Sequence, residues 1–157
     1  MKVALFIGRF QPFHNAHLAD VRRILKENDF VIIAIGSSQH HSTKENPFSY
    51  EERKKMIEAA LKANKITKFR IFPVPDLYND KRWVEYIVYK LPHFDMMYSG
   101  NQWTLNCFRK FGYKSRKINL LKGISSTIIR DKISKGKEWG HLVPKEVFRF
   151  VGKLTGN

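Results

Sequence analysis

The chain has 157 residues, about one domain's worth and enough to bury one sizeable core. With 43% hydrophobic and 27% charged residues, its composition is that of a globular protein and excludes a disordered one. The 29 Lys+Arg against 14 Asp+Glu give a net charge of +15, which leaves two uses open: contact with nucleic acid, or service to polyanionic small substrates and solubility.

Residues 3–7 form a short apolar run closed by Gly8, the pattern of a strand buried on both faces. The run is too short for a signal peptide, and no small-residue cleavage site follows it. Residues 17–26 read as a helix, with Leu18, Val21, Ile24 and Leu25 at helical spacing. Residues 30–35 read as a second buried strand, closed by Gly36. This longest strongly apolar run is far short of the roughly 20 residues of a spanning helix, so no membrane segment is expected. Ser49-Tyr50-Glu51-Glu52 is a capping box opening a helix through Met56, Ile57, Ala60 and Leu61. Residues 69–74 follow as a strand, 83–91 as a helix, and 96–98 as a strand ended by Ser99-Gly100-Asn101.

A helix over 103–111 carries the single cysteine, Cys107, which is expected to be a small apolar residue on a helix face. One cysteine permits no internal disulfide and fits a reducing compartment, so the cytoplasm is the expected location. Residues 114–118 read as a fifth strand, and helices over 126–134 and 147–154 close the chain. With no repeats or linker-like stretches, the chain reads as one domain over 1–157. Strands alternating with helices imply βαβ units and a parallel sheet covered on both faces. Ligands of such sheets sit outside the carboxyl ends of the strands, where loops 8–17, 36–47, 75–83 and 99–101 all fall. Lys26, Lys54, Lys55, Lys62 and Lys65 sit singly on expected helix surfaces, which favours a solvated face over a reader of bases.

Two loops carry chemistry. Gly8-Arg9-Phe10-Gln11-Pro12-Phe13-His14-Asn15-Ala16-His17 joins the first strand to the first helix. Gly8 allows close backbone approach to a ligand, and the helix start beyond offers N–H groups to an anion. His14 and His17, three apart, can face one object, and with Arg9 nearby a triphosphate suits them. No Cys, Asp or Glu completes a zinc set with them. Gly123-Ile124-Ser125-Ser126-Thr127-Ile128-Ile129-Arg130 is the second loop. Its hydroxyls can cap a helix or hold a phosphate, and Arg130, about a turn on, can reach the same phosphate.

Together, G-R-F-x-P-F-H-x-x-H and I-S-S-T-x-x-R resemble the motifs of the nucleotidyltransferase superfamily. Gly36-Ser37-Ser38-Gln39, Glu45-Asn46-Pro47-Phe48 with Glu52-Arg53, Val74-Pro75-Asp76 with Trp83, Tyr98-Ser99-Gly100-Asn101 and Leu142-Val143-Pro144 extend the likeness. They are similar to the archaeal-type nicotinamide-nucleotide adenylyltransferases over essentially the whole chain. The resemblance implies a Rossmann-like, doubly wound parallel sheet of about five strands with helices on both faces. It gives Arg9, His14, His17 and Arg130 to catalysis at the ATP phosphates. Gly8, Phe10, Lys44, Gly100, Asn101, Ile124, Ser125, Ser126 and Thr127 complete the implied ATP site, and Ser37, Asp76 and Trp83 the acceptor site. Trp83 and Asp76 also have plainer readings, as a core aromatic and a helix-capping carboxylate. Trp103 and Trp139 read as core or interface residues. Ala16 stands where the family motif has glycine, Ser126 where close relatives have glycine, and Asp80 where they tend to carry asparagine.

The implied reaction is ATP plus nicotinamide mononucleotide (NMN) to NAD and pyrophosphate. A Mg²⁺ ion is expected on the ATP phosphates with no protein metal cluster, and relatives suggest a homo-oligomer. Pantetheine phosphate, flavin mononucleotide and glycerol phosphate are the competing acceptors. A nucleic-acid-binding module leaves both phosphate motifs without a use, and no specific nucleic-acid partner is expected.

Overall fold

The structure, a computed structural model, describes residues 1–156. The elements run β1 (Val3–Gly8), α1 (Asn15–Glu27), β2 (Phe30–Ile35), α2 (Tyr50–Ala63), β3 (Phe69–Pro73), α3 (Asp80–Lys90), β4 (Met96–Ser99), α4 (Gln102–Lys110), β5 (Ser115–Lys117), α5 (Ser126–Ser134) and α6 (Lys145–Thr155). A 3₁₀ turn over Gly140–Leu142, which the sequence pattern does not announce, precedes α6. The strands form one parallel sheet in the order β3-β2-β1-β4-β5. This is the Rossmann-like doubly wound arrangement expected from the alternation of elements.

Two-residue periodicity sorts the central strands between two cores. Ala4 and Phe6 of β1, with Val31, Ile33 and Ile35 of β2, face one cluster completed by α1, α2, α5 and α6. Leu5, Ile7, Ile32 and Ala34 face the other, against Trp83, Val84 and Ile87 of α3 and Leu105, Cys107 and Phe108 of α4. Cys107 is therefore a buried helix-face residue, and its burial raises the thiol pKa to about 11. Lys65 is a correction to the helix-surface reading. Helix α2 ends at Ala63, and Lys65 lies beyond it with φ of 60°.

β1 lies between β2 and β4, so the chain winds one way from β1 and the other way from β4. That reversal opens a crevice at the carboxyl ends of these two strands, beside Gly8 and Ser99. The loops around it are bolted by two buried polar side chains. Arg53 of α2 is fully buried, and its Nη1 donates to the carbonyls of Arg9 (2.9 Å) and Gly36 (2.8 Å). Nη2 donates to the Ser37 carbonyl and Nε to that of Ser49. Gln11 exchanges two bonds with the backbone of Phe48, at 2.8 and 2.9 Å.

Burial lowers the Arg53 pKa to about 10, so the guanidinium stays charged at neutral pH. Arg53→Met keeps the apolar stem but strands the carbonyls of Arg9, Gly36 and Ser37. We expect it to reduce unfolding free energy by at least one charge-assisted hydrogen bond, about 1.5–3 kcal/mol. Exposed Lys55→Met serves as the control in chemical denaturation. Equal midpoints for the two variants would exclude this anchoring role.

Candidate functional site

At the crevice lies a cavity of about 300 Å³ lined by both motif loops. Gly8, Arg9, Phe10, His14 and His17 come from the first loop, and Ile124, Ser125, Ser126, Thr127 and Arg130 from the second. Gly100 and Asn101 join them from the end of β4. Residues 119 positions apart in sequence thus share one wall set, and the Arg130 guanidinium even donates to the Gln11 carbonyl, at 2.9 Å. Ser126 Oγ donates to the Pro12 carbonyl at 3.0 Å. Lys44 lies apart from this group. It is exposed and lines an adjoining cavity of about 830 Å³ that shares Thr127 and Arg130 with the first.

His14 and His17 are held in an unusual way. His14 is the N-cap of α1, extended at φ of −138°, and the chain turns helical just after it. Its Nδ1 accepts the His17 amide at 3.3 Å, while His17 Nδ1 accepts the His14 amide at 3.2 Å. The two imidazoles do the work of a Ser/Glu capping box, and their rings stack at 3.5 Å. With Nδ1 accepting on both rings, the proton of each neutral imidazole sits on Nε2. Burial lowers the His14 pKa to about 4. His17 is lowered well below the ordinary value, first by burial and then by the neighbouring His14. Both rings are therefore neutral N–H donors at physiological pH.

Three helices, α1, α4 and α5, begin at this cavity. Near the starts of α1 and α5, first-turn amides lack intrahelical partners, a geometry that suits an anion. Ser125 caps α5, its Oγ accepting the Ile128 amide. Asn101 likewise caps α4 through its Oδ1 to Thr104. With Arg9 and Arg130 added, one end of the cavity gathers charge, hydroxyls and helix starts.

The structure adds a reason for Gly8. A Cβ there would meet the Phe10 ring at 2.9 Å, because Phe10 folds back at φ of 54° and is buried. The glycine admits that ring. Ala16 is 2% exposed, so its Cβ is accommodated on the cavity wall. Gly100 packs against the Ile118 carbonyl, which an added Cβ would approach to 3.2 Å.

The three acceptor candidates lie outside this cavity lining. Ser37 Oγ donates to Asp76 Oδ2 at 2.8 Å, and His40 approaches the same oxygen at 3.4 Å. The helix-capping alternative for Asp76 does not hold, because Asn79 caps α3. Trp83 is only 5% exposed, packed between Phe108 and Trp103 in the second core. Of the two readings of Trp103, the core one does not hold, since it is 52% exposed with its ring 5.2 Å from that of Trp83. Trp139 packs on Phe148 at the edge of the first core.

Sequence inspection passes over Gln11, Asp20, Arg53, Ile118 and Asn119. Asp20 had a signal, since it follows His17 by three and shares its helix face. Ile118 and Asn119 had none, because they reach the cavity only through sheet pairing beyond β5. Among the described residues, no group of three or more His, Cys, Asp or Glu is placed to hold a metal ion, and no helix is long and apolar enough to cross a membrane.

Comparison with known proteins agrees with this geometry. The cytidylyltransferase-like family model matches residues 5–132. A nicotinamide-nucleotide adenylyltransferase of Picrophilus torridus is 37% identical over 155 residues, 98% of this chain and 92% of its own. A bifunctional NMN adenylyltransferase/ADP ribose pyrophosphatase from Francisella tularensis superposes with a TM-score of 0.87 at 26% identity. That match covers 99% of this chain, which spans only half the length of the bifunctional protein. A structure of the bifunctional protein complexed with AMP and a manganese ion gives 0.75 at 26% identity, over 90% of this chain and 44% of that one.

The buried neutral histidines set a pH dependence. An unfolded histidine takes up a proton near pH 6.5, whereas folded His14 resists it until about pH 4. Acidification from pH 6.5 toward 4 therefore favours the unfolded chain through His14, and His17 acts in the same direction. Asp20, raised to about 6 by burial, acts oppositely. We expect His14→Gln to lose part of the acid destabilisation, seen as a flatter Tm-versus-pH curve over that window. A parallel curve for the variant would mean that His14 is protonated in the fold.

Proposed function

We propose, for a chain that belongs to the cytidylyltransferase-like family and within it to the nicotinamide-nucleotide adenylyltransferases, that it joins ATP and NMN to give NAD and pyrophosphate. The observation that carries this reading is the convergence of the two motif loops, each at a helix start, on one cavity at the β1/β4 switch. We read the whole chain as one nucleotidyltransferase domain.

The NMN phosphate is already a nucleophile at neutral pH. One of its oxygens forms a bond to the α-phosphorus of ATP, and the bond from that phosphorus to the bridging oxygen breaks. Pyrophosphate leaves with the electron pair, and no proton need move. Catalysis is then positioning and stabilisation of charge on the transferring and leaving phosphates. We assign Arg9 and Arg130 to the phosphate charge, and the Nε2–H donors of His14 and His17 to oxygens whose charge grows in the transition state. Neutral donors suit this task, since they need no proton uptake and are preset by the reciprocal cap. Ser125, Ser126 and Thr127 supply hydroxyls and helix-start amides, while Ile124, Gly8, Phe10, Gly100 and Asn101 shape the nucleotide cleft. Lys44, on the adjoining cavity, is suited to the outer phosphates or the released pyrophosphate.

A divalent ion, which we take to be Mg²⁺, would enter as part of the nucleotide substrate and would supply charge neutralisation at the phosphates. The donors at that end of the cavity are hydroxyls and N–H groups, which fits an ion held by phosphates and water. For the acceptor we assign Ser37, Asp76 and Trp83. The Arg53 bolt ties Ser37 to the loop of Arg9, which keeps the Ser37–Asp76 pair beside the reacting end. We further propose a cytoplasmic homo-oligomer acting on ATP and NMN, with no specific nucleic-acid partner.

The test is incubation with ATP, Mg²⁺ and a panel of phosphorylated acceptors, with products identified by mass. NAD and pyrophosphate from NMN are expected. Product from pantetheine phosphate, flavin mononucleotide or glycerol phosphate alone would reassign the acceptor, and no pyrophosphate from any would refute nucleotidyl transfer. In the same assay His17→Ala should lower kcat by roughly 10²–10³ with little change in KM for NMN. Arg130→Lys should also be severely impaired, because only a planar fork binds two phosphate oxygens together. Near wild-type turnover by either variant would remove that residue from the phosphate site.

A further inference from the structure

The mechanism above makes no use of Asp20, a carboxylate on the wall of a cavity assigned to a polyanion. It lies on α1 three residues beyond His17, about 4.5 Å further from the helix start by the ordinary helical rise. The residue is 4% exposed. Its Oδ1 accepts the amide of Leu120 at 3.0 Å, and among the described residues no hydrogen bond involves Oδ2.

That single bond ties α1 to the segment leaving β5. The Ile118 amide of this segment donates to the Ser99 carbonyl at 3.1 Å, and Ile118 and Asn119 line the cavity beside Asp20. Gly100, at the end of β4, packs against the Ile118 carbonyl, and both residues line the cavity with Phe6. The cavity is thus polar along its length. Its wall carries Arg9, Arg130 and the starts of α1 and α5, and also, one helical turn along α1 from His17, the carboxylate of Asp20 with Phe6, Ile118 and Asn119.

A carboxylate repels phosphate, so a nucleotide enters with its phosphates at the arginine end and its base toward Asp20. We propose that Asp20 is a base-specificity residue: its Oδ2 accepts an N–H from the exocyclic amine of adenine, selecting a 6-amino over a 6-oxo purine. Burial raises the Asp20 pKa to about 6, so at pH 8 the group is an ionised, acceptor-only carboxylate. A 6-oxo purine would present it with a second acceptor, and a buried acceptor facing an acceptor leaves both unpaired.

The inference rests on the reading of this cavity as the ATP site. The test compares kcat/KM for ATP and for ITP, with NMN and Mg²⁺ at pH 8, in wild type and Asp20→Asn. Asparagine keeps an oxygen for the Leu120 amide and offers an NH₂ that pairs with a 6-oxo group. The ratio of the two nucleotides is taken on one preparation, so any loss of folded enzyme cancels. Wild type should favour ATP by about tenfold or more, and Asp20→Asn should lower that ratio by at least about tenfold. An unchanged ratio would overturn the proposal. So would a variant that alters discrimination between ATP and 2′-deoxy-ATP but not between ATP and ITP, since Asp20 would then serve the ribose. A wild type inert with every nucleotide triphosphate would instead refute the nucleotidyl-transfer reading itself.

Discussion

A guanidinium with no carboxylate bound to it among the described residues, buried at the carboxyl edge of a parallel sheet, holds this site in shape. Taking such a charge out of water is costly, and here the cost is met by carbonyls rather than by an ion partner. Arg53 gathers the carbonyls of Arg9, Gly36, Ser37 and Ser49, which belong to the loops after β1 and β2 and to the start of α2. The first three of those carbonyls lie past the ends of the strands, where the ladder can no longer satisfy them. One side chain therefore completes the hydrogen bonding of two loop starts and fixes their separation. Gln11 repeats the device with Phe48. Arg130 adds a third link by donating to the Gln11 carbonyl from across the crevice.

On that frame, preorganisation extends to single ring atoms. The reciprocal cap consumes both Nδ1 atoms of the histidine pair, and burial keeps the rings neutral. What remains are two Nε2–H groups of known tautomer, stacked so that neither turns independently. Donors set in advance at developing charge need no reorganisation during the reaction, which is the source of their value. The same helix carries the opposite chemistry one turn later, at Asp20. A change of sign within a few ångströms makes the cavity directional for a ligand that is anionic at one end.

Much of this was legible along the chain. The alternating apolar runs, the glycines after β1 and β2 and the capping box at Ser49 locate the parallel sheet and its loop edge from local chemistry alone. The two motif loops, found by spacing and residue type, contain twelve of the cavity's twenty lining residues, from Gly8 to Arg130. Boundaries were less legible. Helix α3 starts at Asp80 under an Asn79 cap, ahead of the apolar pattern that begins at Trp83, because capping rather than burial sets a helix start. That Lys44 lines the adjoining cavity was not legible, because proximity in the loop does not tell which of two neighbouring cavities a side chain reaches.

Local periodicity and motif chemistry thus determine from sequence the class of fold, the edge of the sheet that carries the site and the polyphosphate character of its ligand. They can do so because strand burial, capping and anion binding at helix starts act over a few residues. Tertiary structure alone showed that Gly8 leaves room for the Phe10 ring, and that Arg53 is a buried bolt rather than a surface charge. It also turned Trp103 outward and Trp83 inward, and brought Asp20 and Asn119 to one wall. Each of these depends on which elements the strand order β3-β2-β1-β4-β5 makes neighbours. Contacts between residues 37 to 119 positions apart, such as Gln11 with Phe48 and Arg130 with Gln11, leave no trace in either partner's local sequence.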